Sequence, residues 1–441
     1  MGGKKEEMKK KDSKEKRSLY KYVLEKLARK LTYGQSIETR KDIVFEILSE
    51  VRESLTSSEK DEMVNEILSY DIIDDIMKDP EIEDIMISAL NPVFVFHQKT
   101  GMTKTKRRFE TLEDLDLFVR KLLAFSGKTE YKPINDLHLV TTQRANVIES
   151  PMGPQITIRK FRQTPLSIID LVRNGTTDYA IGSMLWLYSD GLSIKPANLM
   201  IGGMPGAGKT TLLNAMFSFF PPNERLVVIE DTLELNTQGK ENCSRLETND
   251  DTTLKDLVRN TLRMRPDRII VGEVRGEEAI DLMTAMNIGK ICMCTIHAST
   301  AREMVTRLQN MPMNIPTDII PMIDAFVMVK QFNIKKNISR VVSQIAETGG
   351  VEKTVLLSDL CKYDYKSAKI KDLRPSVVYR DRLAESAGIS PKEVMDELKS
   401  RARILRSLDR SNIHTIEQVS EFCNMYYENP QNALARLGME A

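Results

Sequence analysis

The residues with the clearest chemical potential form the octapeptide 203–210, which reads Gly-Met-Pro-Gly-Ala-Gly-Lys-Thr and fits the pattern G-x-x-x-x-G-K-S/T. Its three glycines tolerate a positive φ and leave room for an anion beside the backbone N–H groups. Lys209 would place a cation against the β- and γ-phosphates, and the Thr210 hydroxyl would hold Mg²⁺. The pattern predicts a phosphate-binding loop made of Gly203, Met204, Pro205, Gly206, Ala207, Gly208, Lys209, Thr210 and Thr211.

The residues on either side of this loop have the pattern that a phosphate site needs. Apolar residues at 199–201 predict a short buried strand before the loop, and residues 211–217 predict a helix after it. The amino terminus of that helix would face the phosphates and stabilise their charge. The alternative is a glycine-rich turn between a strand and a helix that binds no ligand.

Two carboxylates follow apolar segments that read as buried strands. Residues 226–229 lead into Glu230, and residues 268–271 lead through a glycine into Glu273. In a sheet of parallel strands, side chains just past the carboxyl ends of the strands form the site. One carboxylate would orient or deprotonate an attacking water and the other would complete the Mg²⁺ shell. Glu230, Glu273 and Thr210 are therefore the candidate metal ligands.

Three further residues lie near these strand ends in the sequence. His297 follows another apolar run, so we expect it at the same sheet edge, where it would sense the γ-phosphate. A structural histidine is the alternative. For Asp231 and Glu277 we favour the simpler interpretation, in which the acid caps the next helix.

Composition limits the class of partner and the compartment. The chain has 441 residues and a net charge of +1, which argues against nucleic acid as the main partner. No apolar run in the sequence is long enough to cross a bilayer, and the lysine-rich start lacks the apolar core of a signal peptide. We therefore expect a cytoplasmic protein whose membrane contact is peripheral or runs through a partner.

Periodicity along the chain predicts an α/β protein with several parts. Short apolar strands alternate with helices between 170 and 350, which predicts a parallel sheet covered by helices. Near the carboxyl end, Val394, Leu398, Ala402 and Leu405 form one apolar helix face that we expect in the core. The predicted organisation is a charged disordered tail at 1–17, an α/β domain at 18–160 (helical at 18–90), a linker at 161–170, a parallel-sheet domain at 171–372 and a helical region at 373–441.

The segment 199–308 resembles the type II/IV secretion ATPase family, which includes the motors of type IV pili and the archaellum. Four boxes carry the resemblance: the phosphate loop, Ile229-Glu230-Asp231-Thr232-Leu233-Glu234-Leu235, the run from Arg265 to Gly276, and Thr295-Ile296-His297-Ala298. Upstream segments at 83–87, 144–146 and 151–160 are also similar to the family. The helical carboxyl end is most similar to the archaeal branch.

The resemblance implies a RecA-like P-loop ATPase domain joined to a smaller N-terminal domain, assembled as a homo-hexameric ring that hydrolyses ATP with Mg²⁺. It implies a polytopic membrane platform protein as partner at the inner face of the cell membrane. Glu230 would be the water-activating base and Glu273 the Walker B acid. Arginines would stabilise the charge of the transferring phosphate, although a surface salt bridge is the alternative for each; the candidates are Arg144, Arg159, Arg263 and Arg275.

One position departs from the family pattern and two other functions stay open. Lys290 follows Gly289 where the family usually has a histidine, and a lysine cannot act as a neutral imidazole near neutral pH. The first alternative function is a nucleotide-gated docking protein with little turnover. The second is a DNA-translocating motor, which the near-neutral charge disfavours.

Overall fold

The computed structural model describes residues 17–31, 35–51, 56–139, 143–160, 164–237, 239–249, 251–334, 337–364, 366–367, 369–371 and 374–439. The predicted tail at 1–17 lies outside these residues except for its last position. The chain divides into two compact units. The first comprises Met1–Gln163 with Lys336–Ile338, and the second comprises Thr164–Lys335 with Ser339–Ala441.

The first unit packs helices on an antiparallel sheet. The helices are α1 (17–30), α2 (Ile37–Val51), α3 (Ser57–Leu68), α4 (Asp74–Lys78) and α5 (Leu112–Phe125). The strands are β1 (Ile82–Ser88), β2 (Phe94–His97), β3 (Gly101–Lys104), β4 (Ile134–His138), β5 (Arg144–Ile148) and β6 (Gln155–Arg159). The sheet order is β3-β2-β1-β6-β5-β4. Helix α5 begins where Thr111 accepts a hydrogen bond of 3.1 Å from the Asp114 N–H, as a capping residue does.

Periodicity in the sequence also predicts a helix at 112–125 and strands at 92–96, 146–148 and 155–159, and the structure has α5, β2, β5 and β6 at these positions. One central strand was missed. The prediction of helix up to residue 90 is wrong over β1, which pairs with β2 on one side and β6 on the other. Ile85 and Ile87 are fully buried from one sheet face, an alternation that the helical pattern before it obscured.

The second unit contains helices, a long sheet and the candidate site. Its helices are α6 (Ile168–Arg173), α7 (Tyr179–Asp190), α8 (Lys209–Met216), α9 (Leu254–Thr261), α10 (Glu278–Asn287), α11 (Ala301–Gln309), α12 (Val378–Ala387), α13 (Pro391–Arg410), α14 (Ile416–Glu428) and α15 (Pro430–Arg436). Its strands are β7 (Leu199–Gly202), β8 (Leu226–Glu230), β9 (Cys243–Glu247), β10 (Arg268–Val271), β11 (Ile291–Ile296), β12 (Ala325–Ile334), β13 (Asn337–Val351), β14 (Val355–Asp364) and β15 (Lys369–Lys371). Helix α6 begins inside the stretch 161–170 that was predicted as a linker, because Ser167 caps it through a capping box with Asp170.

The sheet of the second unit has nine strands in the order β15-β14-β13-β12-β7-β11-β10-β8-β9. The six strands from β12 to β9 in that order are parallel neighbours, while β14 pairs antiparallel with β13 and β15. Consecutive residues of β10 face opposite ways: Ile270 packs in one apolar cluster and Ile269 in another. Helices therefore cover both faces, which confirms the predicted α/β class with a RecA-like domain.

A buried ion pair connects α13, one of the carboxyl-terminal helices, to α7. Both terminal nitrogens of Arg401 donate to the Asp190 carboxylate, at 2.7 and 2.9 Å, and the guanidinium lies 4.8 Å from the centre of the Trp186 ring. Val394, Leu398 and Leu405 are buried as expected, whereas Ala402 is half-buried. Among the described residues, no helix is both long enough and apolar enough to span a membrane.

Candidate nucleotide-binding site

The loop between β7 and α8 has the backbone of a phosphate cradle. Gly206 and Gly208 have φ values of 74° and 98°, in the left-handed region that favours glycine. A Cβ added at Gly203 would lie 2.6 Å from the Val329 carbonyl oxygen, so a side chain would force the loop off β12. The three glycines of the loop are therefore required by conformation at positions 206 and 208 and by packing at position 203.

Lys209 is folded back on its own loop. Its ammonium donates to the Gly203 carbonyl oxygen at 3.0 Å and lies 3.0 Å from His297 Nδ1. Burial lowers the pKa of Lys209, and the charge of Glu273 opposes that shift. The contacts of the ammonium are ones that an arriving phosphate oxygen could replace.

His297 connects Lys209 to the acid that follows β10. Nδ1 of His297 lies 3.0 Å from the Lys209 ammonium and 3.2 Å from the Gly203 carbonyl oxygen, so its tautomer decides whether it accepts from the first or donates to the second. Nε2 lies 2.7 Å from Glu273 Oε1, and Arg275 donates to Glu273 Oε2 at 3.0 Å. The structure thus brings together four predicted site residues from three segments of the chain: Lys209, Glu273, Arg275 and His297.

Glu230, at the end of β8, is the buried acid of the site. Only 2% of its surface is exposed, and burial raises the pKa of its carboxyl to about 7. Oε1 accepts from the N–H groups of Glu234 and Leu235 at 3.0 and 2.9 Å. Oε2 accepts no hydrogen bond from the described residues and lies 3.8 Å from Arg245 Nη2. A carboxyl in this state can take up a proton near neutral pH.

Gly272 makes room for this carboxyl. A Cβ added at position 272 would lie 2.9 Å from Cγ and 3.4 Å from Cβ of Glu230. The N–H of Gly272 donates to the Ile229 carbonyl at 2.8 Å, which holds β10 against β8 at this point. Glycine at 272 is therefore part of the site, although the sequence only placed it at the end of a predicted strand.

The donor set fits a nucleotide with a hard divalent cation. Helix α8 begins at the loop, and its first N–H groups have no partner within the helix, as at every helix start. Glu230 Oε2 and Glu273 Oε1 are buried oxygens without an aligned hydrogen-bond donor among the described residues, and Thr210, the second residue of α8, carries a hydroxyl. Oxygen donors of this kind are the ligands that Mg²⁺ prefers.

Three of the four predicted arginines lie outside the group formed by Lys209, Glu273, Arg275 and His297. Arg263 is exposed after α9 and makes no ion pair within the described part of the chain. Arg144 and Arg159 belong to the first unit, where they are cross-strand neighbours on β5 and β6. There Arg144 pairs with Asp136 at 3.4 Å and Arg159 with Asp84 at 3.0 Å. Their predicted contact with phosphates stays a prediction.

Two contacts to the site were not predicted. Arg340, on β13, donates from Nε to the Gly206 carbonyl at 2.8 Å and packs over Gly208. Gln331, on β12, points its amide oxygen at Gly206, 3.1 Å from where a Cβ at that position would lie. Both come from strands more than a hundred residues after the loop, and no local motif marks them.

Lys290, the position that departs from the family pattern, lies far from the candidate site. It precedes β11, whose first residue pairs with Arg268 at the start of β10, whereas His297 follows the last residue of β11. Six strand residues separate the two side chains, or roughly 20 Å at the usual rise. The departure from the family pattern is therefore at the opposite sheet edge from the candidate site.

The phosphate loop after β7, together with the acids and the histidine that follow β8, β10 and β11, defines the second unit as a RecA-like P-loop domain. The family described as "Type II/IV secretion system protein" matches residues 137–352. The chain is 32% identical over 398 residues to an uncharacterised protein of Methanocaldococcus jannaschii, covering 85% of this chain and 71% of that one. This protein belongs to the type II/IV secretion ATPase family.

Two further known proteins are similar to smaller shares of this chain. The conjugal transfer protein TrbB of Rhizobium radiobacter is 37% identical over 163 residues, 36% of this chain and 49% of that protein. The X-ray structure of the ATPase DotB of Legionella pneumophila is 21% identical, with a TM-score of 0.46, over 75% of this chain and 86% of that chain.

Proposed function

We propose that this protein is an Mg²⁺-dependent ATPase that forms a homo-hexameric ring and powers assembly or secretion of a pilus-like filament or an archaellum. It would work in the cytoplasm, at the inner face of the cell membrane, against a polytopic platform protein. The observation that carries the proposal is the network from Lys209 through His297 to Glu273 beside the phosphate loop. Family membership supports the same conclusion.

Each residue has a role that its surroundings support. Lys209 exchanges the Gly203 carbonyl and His297 for phosphate oxygens, which frees His297 to report whether the γ-phosphate is present. Glu230 takes the proton of the attacking water through Oε2, because Oε1 is held by two backbone N–H groups.

Charge on the phosphates is balanced by a cation and by arginines. Thr210, Glu230 and Glu273 would hold Mg²⁺, which supplies charge neutralisation on the β- and γ-phosphates when bound. Arg275, held against Glu273, is the first candidate for stabilising the transition-state charge. Arg263 and, from the first unit, Arg144 and Arg159 are the other candidates for this role.

Two variants separate binding from chemistry. Lys209→Ala should abolish turnover and weaken MgATP binding, because the loop loses its cation. Glu230→Gln should still bind MgATP in calorimetry, because the amide oxygen can take the place of a carboxylate oxygen beside Mg²⁺. It should release no phosphate, because an amide cannot take up the proton. Lys255→Ala, at an exposed lysine paired with Glu277, is the control for loss of a lysine. Unimpaired phosphate release by Lys209→Ala would refute the proposal.

The assembly and the partner need separate measurements. Particle mass with and without MgATP tests the hexamer, which should appear or become more stable with nucleotide. A motor should hydrolyse ATP faster when a purified platform protein is added, whereas a nucleotide-gated docking protein need not. Stimulation by DNA in place of the platform protein would favour a DNA-translocating motor instead.

A further inference from the structure

The exposed side of helix α13 is a row of mostly basic side chains. Exposed residues recur every three or four positions, so they lie on one face of the helix. Pro391 and Glu393, in the first turn, are also exposed but lie outside this row, whose members are Lys392, Asp396, Lys399, Arg403, Arg406 and Arg410. Five of these six carry a positive charge, although the chain as a whole is nearly neutral. We call this row the basic face of α13.

Only part of this charge is balanced inside the molecule. Lys399 pairs with Asp396 at 2.9 Å, and the Arg406 guanidinium lies 5.3 Å from the centre of the Tyr179 ring. Arg403 and Arg410 have no carboxylate within 4 Å among the described residues. The basic face is therefore available to an anionic partner.

A cavity of about 270 Å³ opens beside the basic face, between α7, α13 and the segment that precedes α12. Its apolar wall consists of Ala180, Met184, Met395, Leu398 and Ala402. Arg374 and Lys399 contribute the two cations of its lining. Two flexible methionines in the wall let such a cavity adapt to an inserted side chain.

We propose that the basic face of α13 and this cavity form a docking surface for an acidic protein segment that carries one apolar anchor residue. The anchor fills the cavity, and its acidic neighbours pair with Arg403, Arg406 and Arg374. A concave apolar site takes up a side chain that projects from a partner, whereas a membrane surface engages apolar side chains that project from the protein. The surface is separate from the phosphate loop, so the inference does not depend on ATP hydrolysis.

The probe is a fluorescent peptide of about twelve residues, made of Asp and Glu with a single central Leu. A matched peptide has Ser in place of Leu. Binding to the full chain is followed by anisotropy at low and at raised salt. Phosphatidylcholine vesicles with about one third phosphatidylglycerol are the membrane probe, assayed by co-sedimentation.

Two substitutions test the two halves of the surface. Arg403→Glu reverses a charge at an exposed helix position and should weaken peptide binding about fivefold or more. Ala402→Trp should weaken it to a similar degree, because the indole fills the cavity. Arg436→Glu, an equal charge change on α15 where Arg436 pairs with Glu421, is the control and should bind like the parent chain. Melting curves check that each variant folds.

Binding that needs both the Leu and Arg403, and that weakens with salt, supports the docking surface. Equal affinity for the Leu and Ser peptides would overturn the role of the cavity. An unchanged affinity in Arg403→Glu would overturn the role of the basic face. Vesicle binding that Arg403→Glu removes, together with no peptide binding, would assign the surface to a membrane instead.

Discussion

Ionisation of Glu230 should set the pH dependence of ATP hydrolysis. The carboxyl must be ionised to take a proton from water, and burial raises its pKa to about 7. The pH profile of kcat/KM reports the ionisations of the free enzyme. We therefore expect kcat/KM to rise through the neutral range and then level off.

The size of the rise follows from the pKa. With a value near 7, roughly a tenth of the molecules carry the carboxylate at pH 6 and roughly nine tenths at pH 8. The expected increase in kcat/KM between these pH values is about tenfold. An exposed glutamate would be fully ionised over the same range and would give a flat profile.

The assay is steady-state phosphate release with Mg²⁺ in excess. ATP has its own phosphate ionisation near pH 6. A variant of the protein must therefore show whether the rising limb of the kcat/KM profile comes from Glu230 or from ATP. The positive charge of Arg245, 3.8 Å from the Glu230 carboxylate, lowers the pKa of Glu230 against the effect of burial. Arg245→Gln should move the limb to higher pH. Arg259→Gln, which removes an exposed arginine paired with Asp281, should leave it in place.

Two results would refute this reasoning. A flat kcat/KM profile between pH 6 and pH 8 would mean that Glu230 is not the base or is already ionised in the folded protein. A limb at the same pH in the parent chain, Arg245→Gln and Arg259→Gln would assign the ionisation to ATP.

Three further outcomes are expected. Glu230→Gln should raise the melting temperature at pH 8 but not at pH 4. Between pH 4.5 and about 7 the Glu230 carboxyl keeps its proton in the folded parent chain but releases it in the unfolded chain. The free energy of unfolding of the parent chain therefore falls by roughly 3 kcal/mol as pH rises through this window, and glutamine at 230 avoids this loss. Gly272→Ala should lower kcat about tenfold or more with MgATP affinity retained in calorimetry, because the methyl group displaces the Glu230 carboxylate. Gly349→Ala, where a Cβ has no neighbour closer than 3.7 Å, should match the parent chain. Arg340→Met should weaken MgATP binding about fivefold, because the Gly206 carbonyl loses its donor, and Arg340→Lys should restore most of the affinity.

The sequence predicted those parts of the site that short segments determine by themselves. The phosphate loop, the strand before Glu230 and the strand before Glu273 are each continuous in the chain, so composition and periodicity identify them. His297 was predicted at the same sheet edge for the same reason, and the structure places it between Lys209 and Glu273. The parallel order of the strands brings these segments together.

Contacts between distant strands could not be predicted in this way. Arg340, on β13, reaches the phosphate loop because β13 lies beside β12 and β12 pairs with β7, and no local pattern encodes this strand order. Ala402 shows the same limit: its helical spacing predicted a core position, but the neighbouring α7 leaves a cavity there. Strand β1 was missed because both of its neighbours, β2 and β6, are needed to recognise it as a central strand.

The close approach of position 272 to Glu230 links two sites that are 42 positions apart in the chain. Because one carboxylate stem occupies the volume that a side chain at 272 would need, neither position can be varied without regard to the other. Aspartate at 230 would keep the Cγ that alanine at 272 meets, and its shorter side chain would also move the carboxylate. Any library that seeks faster or slower variants of this protein should therefore randomise the two codons together.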